Sequence, residues 1–320
     1  DWQVALAQQD LLKSGVDDTL IAPISYRPFD VRWTYYTGNS RGFQCMARVR
    51  VMRHFLSGDS LVERPRTKIM RHFLAGENIG LIFKRGFAEN AGPVFVSKYI
   101  NDYRSWSRPG MQGGDYAAPL YTYPEGLHSA EARRPNLNTD IVKRIAETVK
   151  LRFTPEKESS KDTFAPIDLL DYIYAVLYNN AYRKKYADFL KIDFPRVPYP
   201  AGAEQFRGLA VLGGALRRAH LLEGVEPAEG LAEFPIPGTN KIESLSYKNG
   251  NAYINKEQYF ENVPPDVYEY YIGGYQPAQK WLKDRRGVSL SFEDIQYYRR
   301  IVTALKTTLE LQARIGGETA

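Results

Sequence analysis

Between Arg41 and Arg108 the chain interleaves arginine, lysine, asparagine, glutamine and tyrosine. These are the side chains that neutralise phosphates, fork onto the edges of guanine and adenine, and stack on sugar or base faces. The members that fit this chemistry are Arg41, Arg48, Lys84, Arg85, Asn90, Lys98, Arg104 and Arg108, with Gln112 just beyond. From 84 to 115 candidate strands alternate with glycine- and asparagine-bearing turns, so the residues from Lys84 onward are expected on loops or strand ends, reaching outward without disturbing a core. Arg104-Ser-Trp-Ser-Arg108 sets two arginines around one Trp: either Trp106 packs inward and the arginines reach outward, or all three form a solvated loop tip. A second candidate is the turn Lys248-Asn249-Gly250-Asn251, with Lys248, Asn249 and Asn251 as its polar members. For most of the 23 tyrosines the plainer reading is core or rim packing.

The residues of a catalytic centre do not assemble in this way. A methyltransferase that uses S-adenosylmethionine needs a glycine-rich loop after its first strand, an acid for the ribose and, for adenine N6, an Asn/Asp-Pro-Pro-aromatic motif to hold the flipped base. None occurs. In Asn262-Val-Pro-Pro-Asp266 an extra residue separates Asn from the prolines and no aromatic follows them, so the stretch reads as a helix start. Gly113-Gly114 and Gly213-Gly214 lack the Lys-Ser/Thr of a phosphate-binding loop, and no Asp followed by Glu-x-Lys suggests a nuclease. Cys45, between Gln44 and Met46, has no evident base and reads as an inert thiol. His54, His72, His128 and His220 are scattered, with no Cys or His at ligand spacing, which argues for core or surface histidines rather than a zinc site.

Composition sets the bounds. In 320 residues, 43% hydrophobic and 13% aromatic, there is ample material for a core of one large or two medium domains. A net charge of +6, from 43 basic against 37 acidic residues, permits a polyanionic partner without requiring one. One cysteine rules out an internal disulfide and fits a reducing, cytoplasmic setting. No apolar run approaches the roughly 20 residues of a membrane span. The opening Asp1-Trp2-Gln3 has no basic start or signal core, and the missing initiator Met suggests a piece of a longer chain.

The elements that must position the polar residues follow from periodicity and punctuation. Residues 1–14 read as a short amphipathic helix with Val4, Leu6, Leu11 and Leu12, ended by Gly15. Residues 24–36 are rich in β-branched and aromatic types, and Pro28 marks an edge strand or a break between two strands. Further strands are predicted at 79–84, 94–99 and 120–123. Between them 51–59 and 69–77 repeat one wording, Met-Arg-His-Phe-Leu, too few copies for a solenoid. A helix is predicted within 135–151, capped by Asn138 or Thr139, with Ile141, Val142, Ile145 and Val149 on one face, followed by a polar loop at 156–162. Helices at 166–178 and 182–190 join at Asn179-Asn180, and another spans 205–222 with Leu209, Leu212, Leu216 and His220. A hairpin, 242–247 with 252–255, surrounds the turn at 248–251. Near the end Gly273-Gly274 breaks one helix and Pro277 opens the next. Ser291 and Asp294 cap a last helix striped with Ile295, Tyr298, Val302, Leu305 and Leu309. By itself this end reads as a helical docking unit with a basic edge at Lys280, Lys283, Arg285 and Arg286. The expected fold class is α+β: a tail or linker helix at 1–23, a mixed-sheet lobe at 24–134, and a mostly helical lobe with a small β-hairpin at 135–320.

Three stretches are specific in wording: Tyr26-Arg-Pro-Phe-Asp-x-Arg-Trp-x-Tyr-Tyr36, residues 171–198, and residues 255–286 with Tyr271-Ile-Gly-Gly-Tyr-Gln-Pro-Ala-Gln-Lys-Trp281. Through them the chain, from Tyr26 to Ile315, resembles the target recognition region of Type ISP restriction-modification enzymes and related single-chain enzymes that restrict and methylate DNA. The resemblance implies a sequence-specific double-stranded DNA recognition domain without catalytic residues or a cofactor of its own. It would sit beside an N6-adenine methyltransferase domain of the same parent chain that holds S-adenosylmethionine, and in complete enzymes beside helicase and nuclease parts. In the family pattern the second Met-Arg-His-Phe-Leu copy leads straight into 79–83, so the first looks duplicated or inserted. The rival expectation is a helical protein-interaction or scaffold module without DNA specificity.

Overall fold

A computed structural model describes residues 4–38, 67–86, 94–107, 114–124 and 133–317, and of Val4, Leu6 and Thr67 only the backbone. Helix α1 (Val4–Ser14) stops at Gly15, whose φ of 77° is the left-handed conformation that suits glycine. Strands β1 (Ile21–Arg27) and β2 (Asp30–Tyr35) then pair antiparallel, so Pro28 marks a break between two strands. The turn holds Phe29 at a φ of 60°, a strained value for a large side chain. The ring is buried edge-on against Phe95, with centroids 5.7 Å apart, which offsets the strain.

Helix α2 (Thr67–Leu74) is the second Met-Arg-His-Phe-Leu copy; the first lies outside the described residues. His72 is buried and its Nδ1 accepts the Tyr123 N–H at 3.0 Å, an interior histidine as expected. Next come β3 (Gly80–Phe83), β4 (Val94–Ser97), β5 (Ile100–Asn101) and β6 (Tyr116–Pro119). They build an antiparallel sheet in the order β4-β3-β6, while β5 joins β1 in parallel to give β2-β1-β5. Strand β6 has no counterpart among the sequence expectations, because Tyr-Ala-Ala-Pro lacks the β-branched residues that signal a strand. The strand expected at 120–123 shrinks to β7 (Tyr121–Thr122), paired with β8 (Arg134–Pro135).

Helix α3 (Thr139–Val149) is capped by the Asn138 side chain, which accepts from the amides of Asp140 and Ile141. Its buried stripe is Val142, Ile145 and Val149; Ile141 is 46% exposed, one position off the stripe. The short parallel pair β9 (Arg152–Phe153) and β10 (Thr163–Phe164) brackets the polar loop. Then follow α4 (Pro166–Tyr178), α5 (Asn180–Lys185), α6 (Ala187–Leu190) and α7 (Ala203–His220), the helix expected over 182–190 being broken at Tyr186. Helices α4 and α7 pack closely because α7 presents Gly213: a Cβ there would lie 1.9 Å from the Asp171 carbonyl oxygen.

The hairpin β11 (Ser246–Lys248) and β12 (Asn251–Tyr253) turns through Asn249 and Gly250, both left-handed, as a primed turn requires, and β13 (Tyr259–Phe260) adds a third strand. Helices α8 (Pro265–Tyr268), α9 (Pro277–Lys283) and α10 (Phe292–Gly317) complete the chain. Ser291 and Asp294 exchange side-chain-to-backbone bonds at 3.1 Å, the reciprocal cap that the sequence implied.

Because strand residues alternate between faces, the β4-β3-β6 sheet serves two cores at once. Ile82 and Phe95 point into a core made with Trp106, β12, α9 and the first half of α10. Val94 and Val96, with Leu81 and Phe83 beside them, point into a second core made with α3, α4 and α7. Helix α10 joins the cores: Ile295, Tyr298, Val302 and Leu305 lie in the first, Leu311 and Ile315 in the second. His220 sits nearby, bonded to Tyr174 at 2.6 Å and Thr308 at 2.9 Å, and burial lowers its pKa to about 3, so it is neutral.

Candidate nucleic-acid interface

The sheet register decides which polar segments meet. Phe83 faces both Val94 and Tyr116, so the β3–β4 connection and the approach to β6 leave the same end of the sheet. Described flanks of the 84–93 and 108–115 segments therefore lie together. Ser97 pairs with Gly80, which puts the start of the β4–β5 connection, with Lys98, at the opposite end.

At the shared end Phe83 stacks on Tyr116 with centroids 5.9 Å apart, and both rings meet Phe194 edge-on. The Gly86 N–H donates to the Asp193 carbonyl at 3.3 Å, fastening the β3 exit to the segment after α6. Arg85, 63% exposed, and Arg196, 75% exposed, both approach the Asp193 carboxylate, at 3.4 Å and 3.5 Å. The Phe194 N–H and then these two guanidiniums hold Asp193 below the usual carboxylate value. Two cations share one acid, and solvent-exposed pairs of this kind contribute little to stability, so both guanidiniums are available to an external anion. Lys191, paired with Asp188 at 2.9 Å, and the exposed Lys184 and Lys185 extend the basic character along α5 and α6. Sequence reading singled out Arg85 alone here; the other four come from α5 and the segment after α6, 99 or more positions along, and the Gly86–Asp193 bond with the Phe194 ring contacts brings the 191–196 stretch to the sheet end.

The loop that carries Arg104 is fixed from three sides. Asp115 Oδ2 accepts the Trp106 N–H at 2.7 Å and the Ser107 N–H at 3.3 Å. Asp102 Oδ1 accepts the Arg104 N–H at 2.9 Å and is paired with Arg27 at 3.0 Å. From the far end of the chain the Gly274 N–H donates to the Trp106 carbonyl at 2.9 Å, and the Tyr275 hydroxyl donates to the Arg104 and Ser107 carbonyls at 3.0 Å and 3.2 Å. Burial pushes the Tyr275 hydroxyl above its ordinary pKa, so it stays protonated as a donor. Gly273 lies flat against the indole: a Cβ there would come within 2.3 Å of the Trp106 carbonyl and 2.7 Å of its ring. Trp106 is fully buried, which settles its two readings in favour of inward packing.

The remaining candidates fall out as follows. Lys84, expected to reach outward, is 7% exposed just after β3, where alternation would put it on the Ile82 side, which faces the first core. Lys98 is 46% exposed and paired with Glu223. Arg104 is half-buried in the fixed loop. Lys248 and Asn249 are exposed and Asn251 half-buried at the hairpin turn, on a separate sheet whose Gly250 carbonyl accepts the Val263 N–H at 2.8 Å. Arg41, Arg48, Asn90, Arg108 and Gln112 lie outside the described residues, as do Cys45, His54 and His128.

Acid–base chemistry has no such focus among the described residues. A groove of about 780 Å³ between the 156–162 loop, α4 and α7 gathers carboxylates, but each faces a cation. Asp171 receives Arg217 at 2.6 Å and 3.1 Å, and Asp168 receives Lys157 at 2.6 Å. Burial raises Asp171 while Arg217 opposes the shift. No group of three or more His, Cys, Asp or Glu residues able to hold a metal ion occurs among the described residues. Gly213-Gly214 lie inside α7 at a helix contact, so they do not form a phosphate- or nucleotide-binding loop. No helix among the described residues is long and apolar enough to cross a membrane.

The family model of the Type ISP C-terminal specificity domain matches residues 1–314. The chain belongs to this family. In a Type ISP specificity domain the three stretches of specific wording acquire a structural sense: Asp30 of the first pairs with Arg285 of the last at 3.0 Å, and the middle one supplies the second half of α4 with α5 and α6. The scaffold alternative is not favoured by this membership. Three solved structures share the fold. A nuclease-deletion mutant of the Type ISP restriction-modification enzyme LlaGI, in complex with a DNA substrate mimic, aligns over 96% of the chain at 17% identity and a TM-score of 0.58. The ATP-dependent Type ISP enzyme LlaBIII, bound to DNA, aligns over 100% at 13% identity and 0.65. DrdV, in a DNA complex, aligns over 95% at 18% identity and 0.62. The chain spans 25%, 20% and 28% of those three chains, respectively. No curated protein matches.

Proposed function

We propose that this specificity domain recognises a sequence in double-stranded DNA for a longer restriction-modification polypeptide whose other domains carry the chemistry. The observation that carries the reading is the family match over 1–314. On this reading Arg85, Arg196 and Lys191, beside the shared end of the sheet, supply phosphate contacts, with Lys184 and Lys185 further along the chain, and bases are read by the 84–93 and 104–115 segments; the exposure of Arg85 and Arg196 supports it. Phosphate contacts fix register and carry no sequence information, whereas a good bidentate arginine or asparagine on a base edge contributes about 1–3 kcal/mol of discrimination. On this reading Asn90, Arg104, Arg108 and Gln112 are candidate readers in the 24–134 lobe, and 135–320 supports them. Adenine N6 methylation in the cytoplasm, with S-adenosylmethionine bound by an adjoining methyltransferase domain, completes the proposal.

Two measurements test it. Duplex binding by the chain should be weak and fall steeply with salt, since each phosphate contact contributes a slope of about 0.9 in log K against log salt. Affinity that is unchanged between low and high salt would defeat the reading. Target-site selection by the parent enzyme should broaden at one base position in Arg104→Ala or Arg108→Ala. Unaltered stringency in both would move the readers elsewhere, first to the Lys248–Asn251 turn.

A further inference from the structure

The β1/β2 ribbon buries one face and leaves the middle of the other exposed, between the buried Ser25 and Tyr35. Directly opposed residues share a face, which sets Ala22 with Thr34 and Ile24 with Arg32 on one side, and Ile21 with Tyr35, Pro23 with Trp33 and Ser25 with Val31 on the other. On the first side Ala22, Ile24 and Thr34 are buried. On the second, Trp33 is 71% exposed, Ile21 49% and Val31 43%. Among the described residues strand β2 pairs only with β1, so it stands at the edge of its sheet. At the far end of that face the Tyr35 hydroxyl donates to the Gly15 carbonyl at 2.8 Å and accepts the Asp17 N–H at 3.0 Å. The segment it fastens carries Val16 and Leu12, 82% and 86% exposed.

A bare Trp between bare aliphatic residues on a sheet edge is the pattern of a protein contact. Charge argues against DNA as its cover. Arg32 turns to the opposite side, over the Tyr26 ring at 3.9 Å and paired with Asp30 at 2.8 Å. The bare face thus offers no cation among its described residues to a phosphate, and Asp17 and Asp18 stand at its end. We propose that the Ile21–Val31–Trp33 face seats an apolar surface on another domain of the same longer polypeptide. The proposal rests on the reading of the chain as one domain of a larger enzyme, which the 20–28% coverage of the three solved chains supports. A covalently joined domain meets this face at high effective concentration, so a patch too small to hold a free partner suffices.

Hydroxyl-radical footprinting with mass-spectrometric readout tests this, following Trp33 in the isolated chain, in the chain with duplex DNA, and in the DNA-free parent polypeptide. Trp106 and Trp281, both buried, are internal controls that stay unreactive throughout. Trp33 should oxidise readily in the isolated chain with or without DNA, and at least about ten-fold more slowly in the parent. Equal rates in chain and parent would overturn the proposal, and so would protection of the isolated chain by DNA, which would make the face a DNA contact. Duplex affinity measured on the same samples separates the two readings: lost DNA binding with Trp33 still protected in the parent sinks DNA recognition and leaves the domain contact standing.

Discussion

Trp33 and Trp106 are the same residue in similar company and meet opposite fates. Each stands among arginines and aromatics in the first third of the chain, yet Trp33 is 71% exposed and Trp106 fully buried. The difference lies in what the rest of the chain brings. Trp106 receives Gly273, Gly274 and Tyr275 from a segment more than 160 positions away, which covers its ring and bonds its carbonyl. No comparable segment covers Trp33, which stays largely exposed among the described residues. The polar loop beside Trp106 is consequently rigid on its inner side, the condition for presenting a side chain to a base edge at fixed geometry. The ribbon face is stable without a cover, because its opposite side carries the core.

The contrast breaks most sharply under truncation. Trp106→Ala should destabilise the chain by about 3–5 kcal/mol, the range for emptying a large buried aromatic site, and Trp33→Ala should change stability by no more than about 0.5 kcal/mol in the isolated chain. Urea denaturation of the two variants checks this, and comparable losses would show that the ribbon face is packed after all. Next in size is Gly273→Ala. The new Cβ has 2.3 Å to the Trp106 carbonyl and an unfavourable φ of 57°, so crowding and backbone strain together cost about 2–4 kcal/mol. Trp106 should become reactive in a footprint, moving toward the behaviour of Trp33. Smaller again is Tyr275→Phe, which keeps the ring and removes the donor shared by two carbonyls, for about 1–2 kcal/mol in the same denaturation series.

Much of the frame was legible in the sequence because it is local. Asn138 caps α3, Ser291 and Asp294 cap α10, and Asn249-Gly250 turns the hairpin, each through contacts within a few residues. What could not be read depends on distant partners. Strand β6 forms from Tyr-Ala-Ala-Pro only because β3 offers an edge to pair with. Lys84 reads as a loop cation until the sheet turns it inward, and Trp106 had two readings until Gly273 arrived from the other end. The basic cluster shows the same limit: Arg85 was visible, and Lys191 and Arg196 joined it through the distant Gly86–Asp193 and Phe194 contacts.

The smallest effect tests the proposed phosphate edge, away from either tryptophan. Arg85 and Arg196 are more than half exposed and share one acid; Arg85→Ala removes at most one screened pair and should keep stability within about 0.5 kcal/mol, whereas Arg196→Ala also removes the guanidinium from over the Phe189 ring at 4.9 Å and should cost no more than about 1 kcal/mol. Duplex affinity is expected to drop by about 1 kcal/mol or less for each, uniformly over sequences, with the salt slope shallower by about 0.9 for every phosphate that is no longer neutralised. Asp193→Asn should do the reverse, because it frees both guanidiniums from their shared carboxylate and tightens binding at low salt. The pair of opposed outcomes is diagnostic. If the arginine variants leave the salt slope unchanged, the duplex does not pass the shared end of the β4-β3-β6 sheet. The rigid loop held by Gly273 and Tyr275 would then be a feature of the fold rather than of target recognition.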